Sequence, residues 1–115
     1  MKMYCITIHN SHYEKINKLS YIPVGLGENI FSVKFENDKN GLNISHKNPF
    51  YGEYSFHYKI WKNEIRTLND EKWIGFCQYR KYWSNNKQQK DYKSLNDLNY
   101  AVIKKIPKEY DKFDV

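Results

Sequence analysis

Short apolar runs alternate with one-sided helical patterns along this 115-residue chain. The strand-like runs occupy residues 3–8, 21–24 and 72–79, and the helical patterns lie between and after them. An alternation of strand, helix, strand and helix is typical of α/β folds, in which helices cover a mainly parallel sheet. We therefore predict one α/β domain over residues 1–115.

The clearest predicted helix begins at Asn48 and Pro49. Asn is a good N-cap, and Pro suits the first helical position because its missing N–H has no helical partner there. Apolar side chains then recur at helical spacing, which predicts that they face the core: Tyr54, Tyr58, Trp61 and Ile65. The pattern predicts that this helix ends within residues 66–69.

A second helix is predicted after Ser94, which with Asp97 resembles a capping box. Its apolar face would comprise Leu95, Leu98, Val102 and Ile106, with Lys104 and Lys105 at its C-terminal end and Pro107 as its stop. A weaker helical pattern covers residues 13–20, and residues 113–115 have the composition of another strand opening.

Between the second strand and the first long helix lies a polar, Asn-rich stretch, at about residues 28–47. We predict a long loop here, with a short strand at residues 31–35 and a solvated Asp38. Residues 84–93 are predicted to form a second polar loop. Loops as long as the first are often functional in compact domains.

The charge balance is +6, with both signs interspersed along the chain. Clustered cations, rather than net charge, indicate nucleic-acid binding, so we do not expect a nucleic-acid partner. A small basic domain that stacks bases on its aromatics is the least favoured alternative. The two cysteines, Cys5 and Cys77, lie in apolar runs and fit no metal spacing, which predicts buried reduced thiols and a cytoplasmic protein. No apolar stretch is long enough to cross a membrane.

Three segments together resemble a bacterial glycosyltransferase-like domain, long described as a domain of unknown function, of capsular and exopolysaccharide biosynthesis proteins. They are the Tyr-Ile-Pro-Val-Gly run at 21–25, the segment 43–63 and the segment 73–83. The matching positions are Asn43, Ile44, Ser45, Lys47, Asn48, Pro49, Glu53, Trp61, Lys62, Asn63, Gly75, Tyr79, Arg80 and Tyr82. The chain departs from the family pattern at His46, Gly52, Gln78 and Lys81, where an acidic residue, Cys, His and Arg are usual.

The resemblance implies a Rossmann-like layered sheet of the GT-A, nucleotide-sugar-binding kind. In such sheets, ligands lie at the carboxyl ends of the parallel strands. That rule assigns substrate binding to two groups of residues, one after each of two strands: Thr7, His9 and Asn10, and Gln78, Tyr79 and Arg80. The resemblance also indicates that the chain is the N-terminal portion of such a domain, so we expect an incomplete fold.

GT-A enzymes usually hold a divalent metal with an Asp-x-Asp motif after the second of these strands. Here the residues are Gln78, Tyr79 and Arg80, without a carboxylate, so no metal ligand is assigned and the use of a divalent metal stays open. Because a guanidinium binds phosphate oxygens in pairs, we expect Arg80 and Lys81 to neutralise the donor diphosphate. Gln78 cannot titrate near neutral pH, unlike the usual His.

Residues around the predicted helix start supply the other candidates. Ser45, Lys47 and Asn48 would present polar groups to phosphate or sugar oxygens, and Glu53 would accept from sugar hydroxyls or act as a base. Each has a structural alternative, since Asn48 suits a helix start and Glu53 suits the helix dipole.

The aromatics Tyr79, Tyr82 and Trp83 either pack beneath the sheet or offer stacking faces. The four histidines show no metal spacing, and His57 is interpreted as structural or surface-exposed.

The function that follows is a glycosyltransferase. It would move a sugar from a nucleotide-sugar donor to a glycan or lipid-linked glycan acceptor of a capsule, exopolysaccharide or lipopolysaccharide, with possible peripheral contact with the inner membrane. The alternative is a shortened relative that binds sugar nucleotides, or serves structurally, without activity.

Overall fold

Three parallel strands form a sheet in the order β2-β1-β3. The computed structural model describes residues 1–67, 73–85, 91–110 and 112–113. The strands are β1 (Lys2–Thr7), β2 (Ile22–Gly25) and β3 (Ile74–Gln78). The predicted α/β class and parallel sheet are confirmed. Residue 72 of the predicted third strand lies outside the described residues.

The central strand β1 is buried on both faces, from Met3 to Thr7. Parallel sheets covered on both sides contain such continuous apolar strands. Because successive side chains point to opposite faces, Met3 and Cys5 join one core cluster and Tyr4 and Ile6 join the other.

Four α-helices accompany the sheet in the described part of the chain: α1 (Tyr13–Lys18), α2 (Asn48–Tyr51), α3 (Tyr54–Asn63) and α4 (Leu95–Ala101). Single 3-10 turns occur at Asn10–His12, Ser45–Lys47, Ile65–Thr67 and Lys108–Tyr110. Helix α1 contributes Ile16 to the first core cluster, with α4 packed against it through Leu95 and Leu98. Helix α3 contributes Phe56 and Ile60 to the second.

The predicted buried face of the long helix is wrong. Tyr54 and Trp61 are 62% and 53% exposed, whereas Phe56 and Ile60, which also follow a helical spacing (i, i+4), are buried. Both stripes are apolar in sequence, so periodicity alone does not choose between them. In the structure, Phe56 and Ile60 pack with Tyr4 and Ile6 of β1 in the second core cluster.

The predicted start of this helix is also wrong. Asn48 is inside α2 rather than its N-cap, and Lys47 occupies the cap position without a side-chain hydrogen bond. The helix ends after one turn because Gly52 adopts a φ of +52°, which disfavours any residue with a Cβ. A separate helix, α3, then begins at Tyr54, directly after Glu53.

Helix α4 begins as predicted, with the Ser94 hydroxyl accepting the N–H of Asp97 at 3.1 Å. It ends at Ala101 instead of continuing to residue 106, because Val102 is extended and bridges to Ser84. Lys104 and Lys105 therefore lie beyond the helix rather than in its last turn. The segment that follows is held by the buried Tyr21 hydroxyl, which donates to the Ile103 carbonyl at 2.7 Å.

The connection between β2 and α2 contains no strand at residues 31–35, all of which the structure describes. Instead, Glu36 forms a single parallel bridge to Val24. Asp38, expected in solvent, is buried at 2% exposure. Near the C-terminal end of the sequence, Phe113 is not in a strand, and residues 114–115 of that predicted strand lie outside the described residues. Residues 86–90 of the second predicted loop also lie outside them.

The two cysteines are buried and unpaired, as predicted. Cys5 of β1 and Cys77 of β3 are partners in the sheet register. The contact with Cys5 and burial raise the pKa of the Cys77 thiol, so it stays protonated. Within the described ranges, no helix has the length and apolarity needed to cross a bilayer.

Candidate functional site

The carboxyl ends of β1 and β3 meet at one edge of the sheet. Ile6 and Gln78 are partners in the register, and the Tyr79 N–H extends the pairing by donating to the Ile6 carbonyl at 3.0 Å. Gln78 and Lys81 then close a tight turn through two backbone hydrogen bonds of 3.2 and 3.0 Å. The turn projects Tyr79 and Arg80 from the end of β3.

A cleft of about 330 Å³ opens beside this turn. Three of the candidate residues line it: Glu53, Gln78 and Lys81. The other lining residues are His57 and the largely apolar Phe76, Cys77, Tyr82 and Trp83. Glu53 reaches it from the start of α3, and its Oε2 accepts from Gln78 Nε2 at 2.5 Å. The cleft thus holds a carboxylate, an amide and an ammonium group against an apolar wall, a combination suited to a polar ligand with hydroxyls.

His57 also lines the cleft, and the sequence interpretation did not assign it a ligand role. Its ring centroid lies 4.1 Å from that of Phe76, and its Nε2 is buried without a hydrogen-bond partner among the described residues. Burial lowers the pKa of His57, and the nearby Glu53 opposes this only in part. In the sequence, His57 lies one helical turn after Glu53, a spacing that puts both side chains on the same helix face. This spacing is the signal that could have indicated His57 as a cleft residue.

Thr7 and Tyr79 are joined through His12, which the sequence did not single out as a site residue. Thr7 Oγ1 lies 2.6 Å from His12 Nδ1, and the His12 ring stacks on Tyr79 at 4.3 Å with planes 14° apart. Arg80 Cζ lies 5.3 Å from the centre of the Tyr79 ring. Burial, with smaller contributions from His9 and Lys15, lowers the pKa of His12.

The candidate residues that follow β1 form hydrogen bonds within the protein. The Asn10 side chain donates to the Ile30 carbonyl at 2.7 Å and accepts the Ser32 N–H at 3.0 Å. The backbone N–H of His9 donates to the Thr7 hydroxyl at 3.2 Å. Asn10 therefore ties the long connection to the edge of the sheet, while the ring of His9 lies edge-on to His12, their centroids 6.0 Å apart.

The candidates before α3 are not brought into the cleft. Ser45 bonds to Asn43, and the Asn48 amide donates to the Gly52 carbonyl and the Ser55 hydroxyl, each at 2.9 Å. Lys47 is exposed. Among the residues that the structure describes, none of these three lines the cleft.

The aromatics after β3 serve different purposes. The Tyr82 hydroxyl donates to the Tyr79 carbonyl at 2.7 Å, and its ring packs against the first core cluster. Trp83 is 58% exposed, and its indole N–H donates to the Phe76 carbonyl at 2.8 Å. A second, apolar cleft of about 420 Å³ adjoins the first and shares His57, Phe76 and Trp83 with it.

No group of three or more metal-ligating side chains occurs in the described ranges. Glu53 is the carboxylate of the cleft, and it is already bonded to Gln78. Divalent cations such as Mg²⁺ and Ca²⁺ prefer several oxygen ligands. The residues described in the cleft therefore do not fit a protein-held divalent metal.

Comparison with known proteins identifies the family and the fold of the chain. Residues 2–113 match the family described as Domain of unknown function (DUF4422). The chain is 32% identical to part of the apo structure of WbbM, a bifunctional glycosyltransferase, with a TM-score of 0.60. That match covers 82% of this chain and 16% of the WbbM chain. No curated protein sequence matches significantly. The fold is thus that of a glycosyltransferase-like domain, and the chain belongs to the DUF4422 family.

Proposed function

We propose that this domain binds a nucleotide-sugar donor at the carboxyl ends of β1 and β3 and supports transfer of its sugar to a glycan. The observation that carries the proposal is the meeting of Glu53, Gln78 and Lys81 in one cleft beside the Arg80 turn. Similarity to a segment of a bifunctional glycosyltransferase supports it independently. The chain spans about a sixth of that protein, so the transfer reaction belongs to the proposal.

In the proposed complex, Arg80 and Lys81 contact the donor diphosphate. Both follow β3 directly, and Arg80 is exposed at the tip of the turn. Guanidinium and ammonium groups offset the charge that develops on a leaving nucleoside diphosphate, which is the task a metal serves in other enzymes. No step is assigned to a metal here, because the described cleft does not fit one.

Glu53 is the proposed catalytic carboxylate. It faces the cleft, where it can accept a proton from an acceptor hydroxyl or orient a donor sugar hydroxyl. Its bond to Gln78 holds the carboxylate toward the end of β3. Gln78 is a fixed donor across neutral pH, so it keeps this orientation without titrating.

The acceptor that we propose is a growing surface polysaccharide, free or lipid-linked, as the family resemblance implies. The proposed location is the cytoplasm, which the two unpaired buried cysteines support because thiols persist in reducing compartments. A net charge of +6 would favour peripheral contact with an anionic membrane face.

A binding experiment tests the proposal. Titration calorimetry with UDP-glucose, UDP-galactose and GDP-mannose would be compared for the parent chain, Arg80→Ala and Arg66→Ala. Arg66 is the matched control because it is the other arginine of the chain. It is exposed in the turn after α3 and does not line the described cleft. We expect roughly tenfold weaker binding for Arg80→Ala alone.

Two results would overturn the proposal. One is equal binding by the parent and both variants, and the other is binding of none of the three nucleotide sugars. Binding without turnover, measured with a glycan acceptor present, would instead favour a sugar-nucleotide-binding domain without transferase activity.

A further inference from the structure

Asp38 is a buried carboxylate that the proposed cleft does not use. It lies in the connection between β2 and α2 and is 2% exposed. Its Oδ2 accepts from the Ser55 hydroxyl at 2.5 Å, across 17 residues of chain. Burying a carboxylate is costly unless it is hydrogen-bonded, so the fold retains this contact against a penalty.

Ser55 links that carboxylate to the start of α3. It is fully buried, and its Oγ lies near Asp38, Asn48 Nδ2 and the Gly52 carbonyl. A hydroxyl has one proton to donate, and the carboxylate is the stronger acceptor. The Gly52 carbonyl is instead served by the Asn48 amide at 2.9 Å, which also donates to Ser55.

The three side chains of this network and the Gly52 carbonyl lie around the break between α2 and α3. Gly52, with its φ of +52°, is the residue where the chain changes direction. Glu53 follows at once, and its carbonyl accepts the N–H groups of Phe56 and His57 in the first turn of α3. The network therefore adjoins both the first turn of α3 and the residue whose side chain reaches Gln78.

We infer that Asp38 is a positioning residue: by holding Ser55, it fixes the α2–α3 break and so keeps the Glu53 carboxylate bonded to Gln78. Neither Asp38 nor Ser55 lines the cleft in the part of the chain described. The expected effect on turnover rests on the proposed function, whereas the expected effect on the Glu53–Gln78 contact does not.

The test reads the Glu53–Gln78 contact directly, through the side-chain amide resonances of Gln78 in ¹⁵N-labelled protein. Gln78→Met assigns these resonances, and Glu53→Gln marks their position without the charged acceptor. We expect Asp38→Ala and Ser55→Ala each to move the resonances toward the Glu53→Gln position. Asp38→Asn, whose amide oxygen still accepts from Ser55, should restore most of the parent position.

A destabilised control separates positioning from general loss of stability. Ile16→Val removes a methyl group from the opposite core cluster and should leave the Gln78 resonances unchanged. If Asp38→Ala does not fold, Ser55→Ala removes the same hydrogen bond and decides the matter. Resonances that stay at the parent position in every folded variant of this pair would overturn the inference.

A second readout connects the inference to the proposed function. If the parent chain turns over a nucleotide sugar, Asp38→Ala should lower kcat at least tenfold and change KM less than twofold, with recovery in Asp38→Asn. If the parent chain binds no nucleotide sugar, the proposed function fails, and the Gln78 resonances still decide the role of Asp38.

Discussion

The side-chain amide of Gln78 donates to the carboxylate of Glu53 and so joins the end of β3 to the start of α3. The two residues are 25 positions apart in the chain and come from different elements. A fixed neutral donor opposite a carboxylate orients that carboxylate, and both side chains line the cleft.

Replacing Glu53 by Gln should abolish most nucleotide-sugar turnover, because an amide cannot accept a proton. A positioned acid or base contributes about a hundredfold or more to rate, so we expect a loss of at least ~10²-fold in kcat/KM. The measurement is release of nucleoside diphosphate with acceptor present. Glu14→Gln, in an exposed position of α1, should keep parent activity, and equal activity in both variants would exclude Glu53 from the reaction.

Truncating the buried face of α3 should destabilise the protein far more than truncating its exposed face. Phe56→Ala removes a fully buried ring that packs edge-on against Tyr4, with ring centroids 5.1 Å apart, and should cost about 3–5 kcal/mol in the free energy of unfolding. Trp61→Ala removes a ring that is 53% exposed and should cost about 1 kcal/mol or less. Urea denaturation measures both, and a larger loss for Trp61→Ala would contradict the observed helix face.

Removing the Tyr21 hydroxyl should weaken the attachment of the segment after α4. Burial raises the pKa of Tyr21, so its hydroxyl stays protonated and donates to the Ile103 carbonyl. Tyr21→Phe would leave that carbonyl without this donor, at a cost of about 1–3 kcal/mol. Hydrogen exchange should speed up at Val102 and Ile103. Tyr100→Phe, at an exposed position of α4, is the control and should leave exchange unchanged.

Stability should fall as the pH drops through the range of histidine titration. The pKa values of His12 and His57 are lowered in the folded protein, chiefly by burial. Between the ordinary value near 6.5 and the lowered folded values, the unfolded chain binds more protons, so acidification favours unfolding. This stabilising contribution is fully present above the ordinary value and is lost as the pH falls through the folded ones.

Urea unfolding of the parent and His57→Gln at pH 8, 7, 6 and 5 measures this effect. The free energy of unfolding should drop less for His57→Gln than for the parent, because glutamine does not titrate. His46→Gln, at an exposed position, is the control and should follow the parent curve. A His57→Gln curve as steep as that of the parent would show that His57 titrates alike in both states.

Local signals in the sequence were sufficient for most elements. The run at residues 3–8 predicts β1 because a continuous apolar stretch suits a strand covered on both faces. Ser94 predicts the start of α4 because its hydroxyl satisfies a free N–H in the first turn. The rule that parallel strands end at one edge also predicts that Thr7 and Gln78 lie at the same rim.

Other features depended on contacts between residues distant in sequence. Tyr54 and Trp61 fit the helical period as well as Phe56 and Ile60 do, and only the packing of the helix on the sheet shows which face is buried. Asp38 looks like a solvated loop residue until Ser55 is found beside it. Helix α4 stops early because Val102 bridges to Ser84, a partner 18 positions away.

The sequence by itself therefore determined the class of fold, the parallel strands, the family and the edge of the sheet at which Thr7 and Gln78 meet. Those features follow from local propensity, hydrophobic period and motif, each of which acts within a few residues. The tertiary structure decided which helix face is buried, which of the candidates share a cleft, and that Asp38 is buried beside Ser55. Each of these depends on the free energy of burying one group against another, which no local pattern contains.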